Sequence, residues 1–213
     1  VSRADSPPTK PKAAAAASEL GDRRRLDLLE AAYELTAEKG LAGLRTRDVA
    51  ARAKVNISTL HYYFGTKEAL ILALVEHTCG KFNTGNRWPG GPSEDPLQAH
   101  FANTWRVFQE TPNLAVVLEE LGARGRRDPE TRAAFRSVHE RWNGGLQLLF
   151  KALAASGRLR PDVDPALGAF IVSSFVIGAS VQLGVNGSAF DFAAVARELV
   201  RWVSVTPNQN ART

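Results

Sequence analysis

At 213 residues, with 44% hydrophobic and 23% charged side chains, the chain is long enough for one medium domain or a small module joined to a larger one. Its formal charge of +5 permits contact with nucleic acid without requiring it, because net charge speaks to partners and not to fold. A single cysteine, Cys79, excludes an intrachain disulfide and a thiolate-rich metal cluster, and it fits a reducing cytosol.

Residues 1–20 are rich in Pro, Ala and Ser and lack the apolar core of a secretory leader, which predicts a flexible N-terminal arm. Its Arg3, Lys10 and Lys12 are suited to brushing a phosphate backbone, or the arm is a leader with no role. From Arg23 the pattern turns helical. Leu26, Leu29, Ala32, Tyr33 and Leu35 recur at short helical spacing, with Asp22 as a candidate N-cap and Gly40 as a candidate C-cap. A second, short helix starts at Thr46, with Val49, Ala50 and Ala53 facing inward. Lys54 breaks it, and Asn56 is placed to cap a third helix that runs through Phe64. Two short helices joined by a tight turn make a helix-turn-helix, whose second member enters a major groove.

Around that third helix cluster Asn56, Ser58, Thr59, His61, Tyr62 and Tyr63. Short donors and rings with polar tips suit contacts to sugar-phosphate and base edges; the same rings also suit a domain core, which is the reading for Phe64. Gly65 and Thr66 end this helix and cap a fourth. The free amides of its first turn, helped by Lys67, suit a phosphate.

A loop is predicted between Gly80 and Pro92, then helices at about 96–110, 113–122, 129–156, 165–184 and 190–204. Three of them share one starting device. Asp95-Pro96, Asp128-Pro129 and Asp164-Pro165 each set an N-cap acid before a proline at the first helical position. Phe101, Trp105 and Phe108 share one face, Phe135, His139 and Trp142 another, and Phe170 and Phe175 come from the next helix. Such spacing fits a hydrophobic core as well as an apolar pocket with His139 or Gln182 as a polar point.

Pro165 to Phe190 carries no charge and is long enough for a membrane span. Gly168, Ser173, Ser174, Gly178, Ser180, Gln182 and Gly184 dilute it, so it reads as a buried helix. With Phe192, Val195, Leu199, Val200 and Trp202 it forms half of a helix-pair interface. His61, His77, His100 and His139 show no metal-ligand spacing, and no nucleotide fingerprint is present. No enzyme activity, cofactor, metal or membrane partner is therefore expected.

From about Arg25 to Leu74 the chain resembles the TetR family of bacterial regulators. Thr46, Asp48-Val49-Ala50, Ala53-Lys54-Val55, Thr59-Leu60-His61-Tyr62-Tyr63-Phe64 and Thr66-Lys67-Glu68-Ala69-Leu70 follow the family's recurrent pattern. Three positions depart from it. Lys54 stands where the family has Gly at the turn, His61 where it has Tyr, and Ile57 where a polar residue is frequent. The resemblance implies that Thr46, His61, Tyr63 and Lys67 position the DNA backbone and that Arg47 reaches a base edge. Ile57, Ser58, Thr59 and Tyr62 would face the groove, with Asn56 beside them. It also implies a C-terminal effector pocket, for which Phe101, Trp105, Phe108, Phe135, His139, Trp142 and Phe175 are the candidates, and dimerisation through about 165–204.

The expected fold is all-α. A three-helix helix-turn-helix domain at 21–66 precedes a larger helical effector-binding and dimerisation domain at 67–205, with 67–80 as the connecting helix and 206–213 as a flexible tail. The expected function is a cytoplasmic homodimeric repressor that binds a palindromic operator as double-stranded DNA and is released by a small apolar ligand. The alternative is a helical dimeric ligand-binding or scaffold protein with a non-functional DNA-binding module.

Overall fold

The computed structural model describes residues 10–85, 95–185 and 191–205. Arg3, most of the loop between Gly80 and Pro92, Phe190 and the tail at 206–213 lie outside the described residues. Nine α-helices are formed among the described residues: α1 Lys10–Gly43, α2 Thr46–Arg52, α3 Ile57–Phe64, α4 Lys67–Gly85, α5 Pro96–Glu110, α6 Leu114–Gly125, α7 Pro129–Ala155, α8 Pro165–Val185 and α9 Phe192–Val203. The fold is all-α. The chain divides into two compact units after Leu74, inside α4.

In the N-terminal unit, α1 begins at Lys10, well before the expected cap at Asp22, which lies exposed within the helix. The predicted arm is therefore helical from Lys10 onward. The physical reason lies in its alanines: Ala13 to Ala17 are the best helix formers, and Pro11 is tolerated in a first turn. Gly40, at φ 70° and ψ 165°, breaks the regular helix where a C-cap was expected. Leu28, Ala32, Leu44, Val49, Leu60, Phe64 and Leu70 are buried and form the core that fixes α2 and α3 on α1. Arg52 of α2 reaches back to Glu38 of α1 at 2.7 Å and to Glu34 at 3.4 Å. These pairs are exposed and orient more than they stabilise.

The turn between α2 and α3 puts Lys54 at φ 55°, the one non-glycine residue with positive φ among the described residues. The conformation that glycine supplies elsewhere is thus kept with a side chain in place, at a cost of about 1–2 kcal/mol.

In the C-terminal unit the Asp-Pro device works at all three starts. The Leu97 and Gln98 amides donate to Asp95 Oδ1 at 2.9 and 3.1 Å. The Thr131 amide donates to Asp128 Oδ2 at 2.9 Å, and the Ala166 and Leu167 amides donate to Asp164 Oδ1, both at 2.9 Å. Asp191 caps α9 in the same way, through the Ala194 amide at 3.0 Å. An isolated antiparallel bridge, Leu159 to Ser204, ties the α7–α8 connection to the end of α9.

Helices α7 and α8 approach closely at Gly168, where a Cβ would fall 2.4 Å from Cε1 of the buried Phe150 ring. Gly168→Ala is expected to destabilise the fold by about 1–3 kcal/mol, because the added methyl overlaps the fully buried Phe150 ring, which must shift. Chemical denaturation of the C-terminal unit checks this, and an unchanged midpoint would contradict the close approach.

Candidate DNA-binding interface and candidate effector cavity

The N-terminal unit presents the recognition candidates on one short helix. Asn56 caps α3, its Oδ1 accepting the Thr59 amide at 2.7 Å and the Thr59 hydroxyl at 2.8 Å. Both residues thus spend polar groups on holding the helix start. Ile57, Ser58, His61 and Tyr62 are exposed, and Tyr62 stands out at 84%. Tyr63 is half-buried and meets the Tyr62 ring edge-on, with centroids 5.1 Å apart. Phe64 is buried, as its core reading required. Arg47 is exposed on the first turn of α2, and Thr46 is half-buried beside it.

His61 is more constrained than its sequence position suggests. Its Nδ1 lies 3.1 Å from the Gly65 carbonyl oxygen. A carbonyl only accepts, so Nδ1 carries the hydrogen and the neutral ring offers Nε2 as a lone pair. Donation from Nε2 to a phosphate requires the imidazolium. At the next helix start, the Ala69 amide donates to Thr66 Oγ1 at 3.1 Å, so Thr66 caps α4 and leaves Lys67 at its first position. That is the arrangement in which helix amides and an ammonium favour an anion.

The C-terminal unit contains a cavity of about 880 Å³, inside the usual range for small-molecule sites. Of the aromatic candidates, Phe108, Phe135, His139 and Trp142 line it. Phe82 packs edge-on to Trp142 at 5.3 Å and lies 6.0 Å from Phe108, which makes it the centre of the aromatic wall. His139 meets Trp142 edge-on at 5.9 Å. The other three aromatic candidates lie elsewhere. Phe101, Trp105 and Phe175 gather around Phe192 of α9, with Trp105 stacked on that ring at 5.0 Å and 13°. They hold α5, α8 and α9 together and do not line the cavity. Gln182 is exposed on α8 and does not line it either.

Sequence reasoning missed Cys79 and Phe82 of α4 and the α6 wall of Val116, Leu118 and Glu119. Burial pushes the Cys79 thiol up to about 11, so it faces the cavity as a neutral, unreactive group. Burial, and then the charge of Glu120, also raises the Glu119 carboxyl above the ordinary range. Arg126, Arg132 and Arg136 also line it, as do Val176, Ile177, Ser180 and Val181 of α8. Arg132 is committed to structure, since its Nε donates to the Gly125 carbonyl at 2.9 Å and closes the end of α6.

Pro165–Val185 is the one helix among the described residues that is long and apolar enough to cross a membrane, with a mean hydropathy of 1.9. Its inner face, with Ala169, Val172, Val176 and Ala179, is buried in the core. Its outer face leaves Leu167, Phe170, Ile171, Ile177, Val181 and Val185 exposed at helical spacing. Trp202 of α9 is exposed too, at 60%.

Comparison with known proteins places both units. Residues 28–74 match the family of bacterial regulatory proteins of the tetR type, and residues 94–204 match the C-terminal region of BetI-type transcriptional repressors. An HTH-type transcriptional repressor from Mycobacterium tuberculosis is 46% identical over 153 residues, 66% of this chain and 79% of that protein. The HTH-type transcriptional repressor NicS from Pseudomonas putida is 29% identical over 149 residues, 67% of this chain and 68% of that protein. Among solved structures, a TetR transcription regulator from Haloarcula marismortui superposes with a TM-score of 0.77 at 19% identity, covering 86% of this chain and 100% of the other. The multidrug binding protein EbrR, complexed with imidazole, gives a TM-score of 0.62 at 24% identity, covering 87% and 92%.

Proposed function

The chain belongs to the TetR family of transcriptional regulators, and from that membership we propose that it is a cytoplasmic, homodimeric repressor released from a palindromic operator by a small apolar ligand. The observation that carries the DNA side is α3, which is capped by Asn56 and thrusts Ile57, Ser58 and Tyr62 into solvent in a helix-turn-helix setting. Ser58 and Tyr62 discriminate bases, Arg47 reaches a base edge, Ile57 and Thr59 face the groove beside them, and Thr46, His61, Tyr63 and Lys67 fix the backbone.

The cavity supports the effector side. Its aromatic wall of Phe82, Phe108, Phe135 and Trp142 suits an apolar body, and a protein of the same fold, EbrR, is complexed with imidazole. The helix that supplies Cys79 and Phe82 to this cavity begins at Lys67, so a ligand that displaces α4 acts on a helix with a role in DNA binding.

The stripe on α8, with Trp202 of α9, is the face that a second copy covers. An uncovered apolar face of this length is unusual on a monomer, and covering it yields the two-fold symmetry that a palindrome requires.

Titration of operator DNA at several salt concentrations tests the DNA side. Lys67→Ala is expected to weaken binding to all sequences about equally and to lower the salt slope by about one unit for each phosphate that Lys67 neutralises. An unchanged slope with unchanged affinity would remove Lys67 from the interface.

A further inference from the structure

The helix-turn-helix accounts for α2, α3 and the start of α4 but leaves the N-terminal half of α1 without a role. That half runs beside the recognition helix. A Cβ at Gly21 would lie 3.6 Å from the Tyr63 hydroxyl, and one turn later the Arg25 guanidinium stacks 5.4 Å from the centre of the Phe64 ring. At 3.6 residues per turn, Arg24 and Arg25 fall on the Gly21 side of α1. The acids Glu19, Asp22 and Asp27 fall about 100° or more away from it. The side of α1 next to α3 is therefore basic and free of carboxylates. Arg24 is exposed and has no acidic partner among the described residues. Stacking on Phe64 holds Arg25 in place while leaving the edge of its guanidinium available to an anion. This part of α1 also precedes residue 28, where the match to the family's DNA-binding region begins.

We propose that the N-terminal half of α1 is a second DNA-contacting element, in which Arg24 and Arg25 hold phosphates on the flank of the half-site occupied by α3. The proposal rests on the reading of the chain as a DNA-binding regulator. Guanidiniums beside a recognition helix suit a duplex backbone and not a base edge. The contact is therefore independent of sequence and sensitive to salt.

Hydroxyl-radical footprinting and salt titration on a selected operator, with the full chain, test the proposal. Wild type should protect the outer flank of each half-site. Arg24→Ala should lose that flank protection and lower the salt slope by about two units per dimer, one phosphate per protomer. Its ranking of single-base operator variants should stay as in wild type. Arg24→Lys should retain the slope, and an unchanged melting temperature should accompany every variant at this exposed position. Ser58→Ala serves as the contrast, keeping the flank protection while losing base discrimination. If Arg24→Ala keeps both slope and flank protection while Ser58→Ala still relaxes discrimination, the α1 contact is wrong and the regulator reading stands. If wild type binds no duplex better than a scrambled one, the regulator reading fails and the α1 contact falls with it.

Discussion

Gly178→Arg is expected to leave the protomer folded, dissociate the dimer and weaken operator binding by roughly two orders of magnitude or more. Gly178 lies on the α8 face that carries Phe170, Ile171, Ile177 and Val181, and a side chain built there meets nothing within 4 Å. Inside one protomer the arginine therefore starts without a backbone or side-chain clash at its Cβ. In a dimer closed over this face it would be buried twice, once from each copy, among apolar side chains. An uncompensated buried charge costs about 3–5 kcal/mol, more than an interface of moderate strength can absorb. A monomer then reads one half-site and loses the second recognition helix, whose partner half-site lies about 34–36 Å away or a multiple of that. Sedimentation at micromolar concentration should give a single species near 23.1 kDa. A folded variant that remains dimeric would place the interface elsewhere.

The second large effect concerns the cavity. Gly122 lines it from α6, and a Cβ there has nothing within 4 Å, so the side chain of Gly122→Phe starts without a clash and extends from the cavity wall. Replacing a helical glycine also relieves about 1 kcal/mol of helix cost, which favours a folded variant. The ring is expected to weaken effector binding by at least about tenfold while operator affinity stays near wild type, giving a repressor that no longer responds to its ligand. Fluorescence of Trp142, which lines the cavity, reports occupancy by candidate apolar metabolites, and Trp142→Phe identifies the signal. In the wild type, each effector should bind about 5–150-fold more weakly in the presence of operator, because coupling between two sites is reciprocal. Effector affinity that is equal with and without operator would uncouple the cavity from DNA. A Gly122→Phe variant that still binds effector normally would move the ligand to another site.

Much of the helical layout was legible because its signals are local. An aspartate before a proline supplies both a cap acceptor and a pre-set φ, and this device marks the starts of α5, α7 and α8 without reference to anything distant. Asn56 and Thr66 announce α3 and α4 in the same way. The cavity was only half legible. Phe101, Trp105 and Phe108 do share a face of α5, but periodicity gives direction around a helix and not what lies opposite at each height. Over the roughly 10 Å between Phe101 and Phe108, the neighbour changes from Phe192 to Phe82. One line of aromatics thus serves a packed core at one end and a cavity at the other. The spacing of Val75, Cys79 and Phe82 does carry a signal, an apolar face that continues along α4 well past its first turns and reaches this cavity. The helical start of α1 was hidden by composition, since Pro and Ser suggested a loose arm while five successive alanines favoured helix.

Recovery and sequencing of genomic DNA fragments bound by the purified full chain test the regulator reading most directly. The expected fragments share one inverted repeat, with half-site centres about 10 base pairs or a multiple apart, and Tyr62→Ala changes the bases preferred within it. Fragments with no shared sequence, recovered no better than bulk DNA, would contradict the regulator and leave a helical dimeric ligand-binding protein whose DNA-binding module is not functional.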